Sequence, residues 1–272
     1  VRGRRQRQMC IRDRLLVLLV AVNLGFLGYF KYFDFLPGLV NKLAGGTVAE
    51  PKNLLLPVGI SFYTFQMISY VADVYRGTTG AERNLLNLGL YMSFFPKMIQ
   101  GPIERYQSMG ARIRNRHVTP ELFACGARRF IYGLGKKVIL ANQFGSVVDK
   151  VLANPMDQIS GGLGWYVGIL YTLQIYFDFS GYSDMAVGLG KMLGFELTEN
   201  FNYPYLARSV GEFWRRWHIS LSSWFKDYLY IPLGGSRKGT FVTCRNLMIV
   251  FICTGFWHGA GLSLSLIHIS AP

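Results

Sequence analysis

Apolar residues run along this chain in long uninterrupted stretches, separated by short basic ones. No charged residue falls within 15–30, 53–72 or 158–177, and 246–267 carries only His258. Roughly 20 apolar residues cross the hydrocarbon of a bilayer, and these runs lack the polar face that a helix packed on a soluble core keeps. The pattern predicts a membrane helix over 15–32, closed by Pro37-Gly38, then a loop over 41–53. A second helix spans 54–75, with Pro57 and Gly59 near its start. A shorter helix over 85–99, broken by Pro96, enters the bilayer and leaves by a re-entrant turn, tolerable where protein covers it.

An arginine-rich aqueous connection, 104–120, leads to a partly interfacial helix over 121–144, interrupted by Arg128, Arg129, Lys136 and Lys137. Two segments come next, 161–177 and 179–195, with a break at Gly181. An amphipathic segment over 210–230 ends at Pro232 and Gly234-Gly235, and a last span covers 245–262. The fold class read from this is all-α: a polytopic membrane protein with re-entrant and interfacial helices.

Composition agrees. Charged residues are 16% of the chain, against about 25% in soluble domains. The net charge of +14 raises nucleic-acid binding, which its distribution argues against. The basic residues cluster in the connections between apolar runs, as they do in cytoplasmic loops facing anionic lipid. The balance therefore reports topology and a membrane-lipid partner. Cys10, Cys125, Cys244 and Cys253 have no metal-ligand spacing, so no metal site is implied.

Three constellations carry chemistry. Trp214, Trp217, Leu221, Trp224 and Tyr228 recur every three or four residues, one stripe on a continuous helix. Tryptophans on such a stripe suit the headgroup boundary. His218 lies at the margin of the stripe, where it is either a satisfied structural residue or a catalyst. Arg215 and Arg216 fall largely away from it. His258, in GFWHGA after Trp257, stands in an otherwise uncharged span, and ionisable groups at membrane depth mark polar cavities or pathways. A core histidine bonded to a neighbouring helix is the alternative. In QIYFDFSGYSD, Gln174 and Asp178 share a helix face, with Tyr182 and Asp184 one and two turns further on. Arginines near His218 are the expected partners of these carboxylates, with a structural ion pair as their plainer role.

In this order the constellations resemble the membrane-bound O-acyltransferase family, in its bacterial branch of alginate O-acetyltransferases and teichoic acid D-alanyl transferases. The matching strings are ISYVADVYRG (68–77), FFPKMIQGPIERY (94–106), QIYFDFSGYSDMAVGLGKMLGFELTENFNYPYLA (174–207), FWRRWHISLSSWFKDYLYIPLGG (213–235) and GFWHGA (255–260). The resemblance implies a ring of helices around a thin centre, multi-pass in the cytoplasmic (inner) membrane, with a tunnel joining the two aqueous faces. It implies acyl transfer, acetyl above all, to a hydroxyl of an exported polysaccharide, with no bound cofactor. The donor is an acyl thioester, acetyl-CoA or an acyl carrier. The acceptor is reached directly or through periplasmic or extracellular acetyltransferase proteins. His258 falls on the family's catalytic histidine and His218 on its second important one. Trp214, Arg215, Arg216, Trp217, Asp178, Tyr182 and Trp257 become candidates for substrate or tunnel contacts. D-alanyl transfer to teichoic acid is the near alternative; a transporter or channel is the alternative of another class.

The family has further helices before residue 15 and after His258, so the ring is read as incomplete. The strings at 1–14 and 263–272 differ in character from the sequence they flank and are read as a non-native leader and tail around a membrane domain over 15–262.

Overall fold

The computed structural model describes residues 2–259 other than 34, 47, 49, 51 and 53. These form helices joined by short turns, with no strand among the described residues. The suspected leader, from Arg2, is helical and continuous with the first apolar run, while the suspected tail lies outside the described residues. The chain divides into two compact units.

The first unit takes the described residues up to Ser93, with Arg105–Gln107 and the chain from Ser223 onward. Helices α1 (Arg2–Tyr32), α2 (Phe35–Ala44), α3 (Ile60–Arg76) and α4 (Leu85–Ser93) open it, and α11 (Thr240–His258) closes it. Pro37 and Gly38 do not end the first helix. They lie in the first turn of α2, where proline is tolerated because that N–H has no helical partner. The second predicted helix starts late. Gly59, at φ 78°, turns the chain into α3, six residues after the first apolar position of the run.

α1 and α3 run antiparallel. Lys31 near the end of α1 reaches Ser61 at the start of α3, and Arg12 donates to the Tyr75 carbonyl at 2.7 Å near the other end. Asn246 of α11 is fully buried; it donates to the carbonyls of Leu233 (3.3 Å) and Gly235 (3.0 Å), pinning the turn before α11.

The second unit takes Phe94–Glu104 and Ser108–Ser222. A 3₁₀ turn, Phe95–Lys97, stands where Pro96 was expected to break the helix. The connection after it is not wholly irregular, since α5 (Tyr106–Arg114) forms within it. Thr119 then caps α6 (Pro120–Gly135), its Oγ1 accepting the Leu122 N–H with proline in the first turn. α6 passes through a π segment, Lys136–Ala141, into α7 (Asn142–Leu152).

The longest element, α8 (Gly161–Met192), is one helix of 32 residues without a break at Gly181. Glycine inside a helix costs about 1 kcal/mol relative to alanine, and here it admits a neighbour. A Cβ on Gly181 would stand 2.8 Å from the Gly133 carbonyl oxygen of α6, and one on Gly188 would stand 2.6 Å from that of Gly126. The two helices therefore meet backbone to backbone, antiparallel. Lysines of the π segment reach α8 from the same side: Lys136 to Asp184 at 2.7 Å and Lys137 to Asp178.

α8 also has an inverted polarity. Its apolar first half exposes Trp165 (80%) and Ile169 (58%), whereas Ser180, Ser183 and Asp184 in its second half are buried. Exposed apolar surface beside buried polar groups is the arrangement of a helix in lipid. Two stretches, Cys10–Tyr32 and Thr240–His258, are long and apolar enough to cross a membrane, and little of either is covered by protein. The other two uncharged runs differ: α3, at 17 residues, is shorter than these stretches, and α8, though 32 residues long, is less apolar.

Candidate active site

The segment read as one amphipathic helix is two short ones. α9 (Val210–Arg216) starts at Ser209, whose side chain accepts the Glu212 N–H. α10 (Ile219–Phe225) comes next, and a π segment, Lys226–Tyr230, extends it. At the break Trp217 is extended (φ −104°, ψ 129°) and His218 lies in the left-handed region at φ 42°. A non-glycine residue there costs on the order of 1–3 kcal/mol and persists where its surroundings over-determine it.

Two of the three tryptophans of the stripe are buried within the protein, and Trp214 is half-buried. Trp217 is 8% exposed and Trp224 7%. Within the second unit, Trp217 stacks on Phe213 (5.6 Å between centroids) and meets Phe201 edge-on (5.0 Å). Within the first, Trp224 stacks on Phe65 at 4.1 Å and donates its indole N–H to the Phe65 carbonyl at 3.0 Å. The stripe is therefore not the face of one helix: Trp217 lies at the break between α9 and α10, and Leu221 and Trp224 are buried on α10.

His218 is 3% exposed, with the Phe179 ring edge-on at 4.7 Å. Trp214 and Arg216 are half-buried and Arg215 is exposed. Arg216 forks onto Glu212 one turn back, at 2.8 and 3.0 Å. The arginines beside His218 are therefore not the partners of the α8 carboxylates. Asp184 takes Arg129 (2.6 Å) and Lys136, and Asp178 takes Lys137. Cations on α6 and its π segment lie directly opposite α8, so the shorter reach wins. Tyr182 is half-buried on the same helix.

His258 belongs to the first unit. It is the last residue of α11 and is exposed, with Gly259 already extended. The rest of the expected span, 260–262, lies outside the described residues. Trp257 beside it is 8% exposed, stacked near Phe65 (5.4 Å) and edge-on to Phe62 (5.5 Å). Lys31 donates to the Trp257 carbonyl and Tyr32 to that of Phe256, fastening the end of α11.

Two polar clusters have no counterpart among the sequence-based expectations, although both draw on the family-like strings. In FFPKMIQGPIERY, Lys97 is fully buried with the buried Glu104 as its countercharge, and Glu104 also accepts the Thr198 N–H and the Ser108 hydroxyl. In the first unit, a cavity of about 450 Å³ is lined by Asp73, Arg76, Thr78, Arg105, Asp227 and Tyr228 among others. Tyr228 donates to Asp73 at 2.8 Å, Arg105 pairs with Asp227, and both Arg76 and Arg105 lie against the Tyr228 ring. Burial, then the Asp73 carboxylate, push the Tyr228 phenol well above its ordinary range. Neither cluster has a signal in hydrophobic periodicity, because its members come from segments far apart in the chain.

Residues 80–271 match the model of the membrane-bound O-acyltransferase family. The chain is 48% identical, over 92% of its length and 52% of the relative's, to a Pseudomonas putida protein named probable alginate O-acetylase. It is 37% identical to the peptidoglycan O-acetyltransferase of Helicobacter pylori, over 90% of the chain and 51% of that protein. To the teichoic acid D-alanyltransferase of Bacillus subtilis it is 29% identical, over 77% of the chain and 55% of that protein. The chain thus spans about half the length of the curated relatives it matches. On the family match and these identities, the chain belongs to the membrane-bound O-acyltransferase family.

Proposed function

We propose that the full-length protein is an O-acyltransferase of the cytoplasmic membrane that moves an acetyl group from a thioester to a hydroxyl of an exported polysaccharide. The observation that carries this is the gradient of likeness. Relatives named alginate O-acetylases are 47–49% identical to this chain, and those named teichoic acid D-alanyltransferases 29–30%. D-alanyl transfer is the second reading, favoured by the same strings at lower identity.

In this mechanism His258 accepts the proton of the sugar hydroxyl as its oxygen attacks the acyl carbonyl. The tetrahedral intermediate collapses, the carbon–sulfur bond breaks, and the thiolate leaves and takes up a proton. A neutral imidazole suits this step near pH 7, where general-base help contributes about 10²–10⁴-fold. His218 positions the acceptor or stabilises the developing oxyanion. Trp214, Trp217, Trp257, Arg215, Arg216, Asp178 and Tyr182 stay candidates for substrate or tunnel contacts. For Asp178 and Arg216 a structural ion pair is the competing role.

The test uses purified full-length protein, radiolabelled acetyl-CoA and non-acetylated alginate. Label should move to the polysaccharide with the wild type and not with a folded, inserted His258→Ala variant. Transfer at the wild-type rate by that variant would remove His258 from the chemistry. Release of no label by the wild type, with transport of a solute instead, would favour a transporter.

A further inference from the structure

A left-handed histidine between two seven-residue helices needs something to hold it, since helices this short are not stable alone. The fastening comes from residue 200. The Asn200 carbonyl accepts the Ile219 N–H at 3.0 Å, and its side-chain Oδ1 accepts the Ser220 N–H at 3.2 Å. Two residues on, Asn202 donates its N–H to the Arg216 carbonyl at 2.9 Å. One short irregular segment thus grips the chain on both sides of His218. Ser220 is held from a further direction, its Oγ accepting the Ile103 N–H at 3.0 Å.

Asn200 is fully buried, and its Nδ2 has no hydrogen-bond partner among the described residues. A buried amide that leaves a donor unsatisfied is a poor choice for packing alone. Its oxygen is what the backbone uses: the first two N–H groups of α10, which no helical carbonyl can reach, are taken by this one residue.

We infer that Asn200 is the positioning residue of His218, fixing the left-handed backbone from which the imidazole projects. This rests on the proposed role of His218 in acyl transfer. Asn200 touches no reacting atom; it acts through the histidine.

A double-mutant cycle on the full-length protein tests it. Asn200→Ala should lower kcat by about tenfold or more, the scale on which a misplaced reacting group acts, with KM little changed. Asn200→Asp keeps the accepting oxygen and should recover most of that loss. In a His218→Ala background, Asn200→Ala should cost nothing further. An equal loss in both backgrounds, or an Asn200→Ala enzyme with normal kcat, overturns the inference. If Asn200→Ala does not insert, Asn200→Ser takes its place in the cycle with the same expected and overturning results. A second measurement needs no change at 200. His218→Gly should unfold at a higher temperature than His218→Ala, because only glycine takes φ 42° without a Cβ penalty; equal midpoints count against a held left-handed turn. Unchanged turnover in His218→Ala sinks the reading of His218 itself. Damaged His218→Ala beside intact Asn200→Ala sinks only the role of Asn200.

Discussion

His218 lies buried where the backbone breaks, fastened by hydrogen bonds from a distant segment, whereas His258 ends an unbroken helix and is exposed. The two histidines carry the same imidazole, yet one is fixed by the polar groups of its main chain and the other by the aromatic packing of its neighbour. Their surroundings therefore fail in different ways. A substitution near His218 disturbs orientation first. One near His258 disturbs the packing of Trp257 and the seating of α11.

The largest expected effect comes from His258→Ala. In the full-length enzyme it should lower kcat by about 10²–10⁴-fold, while the thermal midpoint in detergent stays near that of the wild type, as expected of a residue that serves chemistry and not packing. A large drop in midpoint instead would make His258 structural and erase the contrast with His218. Next comes Trp257→Ala, which empties a site stacked on Phe65 and edge-on to Phe62. Truncation of a buried aromatic costs about 3–5 kcal/mol, read by thermal or denaturant unfolding; a cost under about 1 kcal/mol would mean that packing does not seat this helix end.

Tyr228→Phe removes the 2.8 Å hydrogen bond to the buried Asp73. About 1–3 kcal/mol of stability should go with it, and the same unfolding measurement decides. The smallest effect is expected of Arg216→Ala, whose ion pair is with Glu212 one turn away and whose other bond, to the Asn202 carbonyl, is 3.2 Å long; helical pairs one turn apart contribute little. Stability should hardly move. If acetyl transfer nonetheless falls with raised KM for the thioester, Arg216 binds the donor and its pairing with Glu212 is secondary.

Much of the helical class was legible in the sequence, because uncharged runs and Gly-Pro punctuation report on burial in lipid and on chain reversal. The sequence misleads where one pattern has two causes. Trp214, Trp217, Leu221, Trp224 and Tyr228 fit a single helix by spacing, yet the helix breaks at Trp217 and His218, and two of the tryptophans are core. Periodicity records which side chains are buried and is blind to a backbone that reverses sign between them. Gly181 misleads for a related reason: glycine marks either a break or a close approach, and only the presence of Gly133 opposite distinguishes them. The ion pairs of Asp178 and Asp184 were expected, but with the wrong cations, since sequence proximity to His218 says nothing of which helix lies alongside. Asn200 had no signal beyond its place in a family string, because its role runs through main-chain bonds to residues about 20 positions away.

The π segment between α6 and α7 marks a place where this chain can change length inside a helix. Insertions and deletions are usually absorbed by loops, because a residue lost from an ordinary helix rotates everything beyond it by about 100°. The wide turn over 136–141 holds about one residue more than an ordinary turn, so loss of one residue there would close it and leave α7 facing α8. Gly145, where a Cβ would stand 2.7 Å from the Gln174 side chain, would keep its place. A single-codon deletion within 138–141 should therefore be tolerated better than one in the middle of α8.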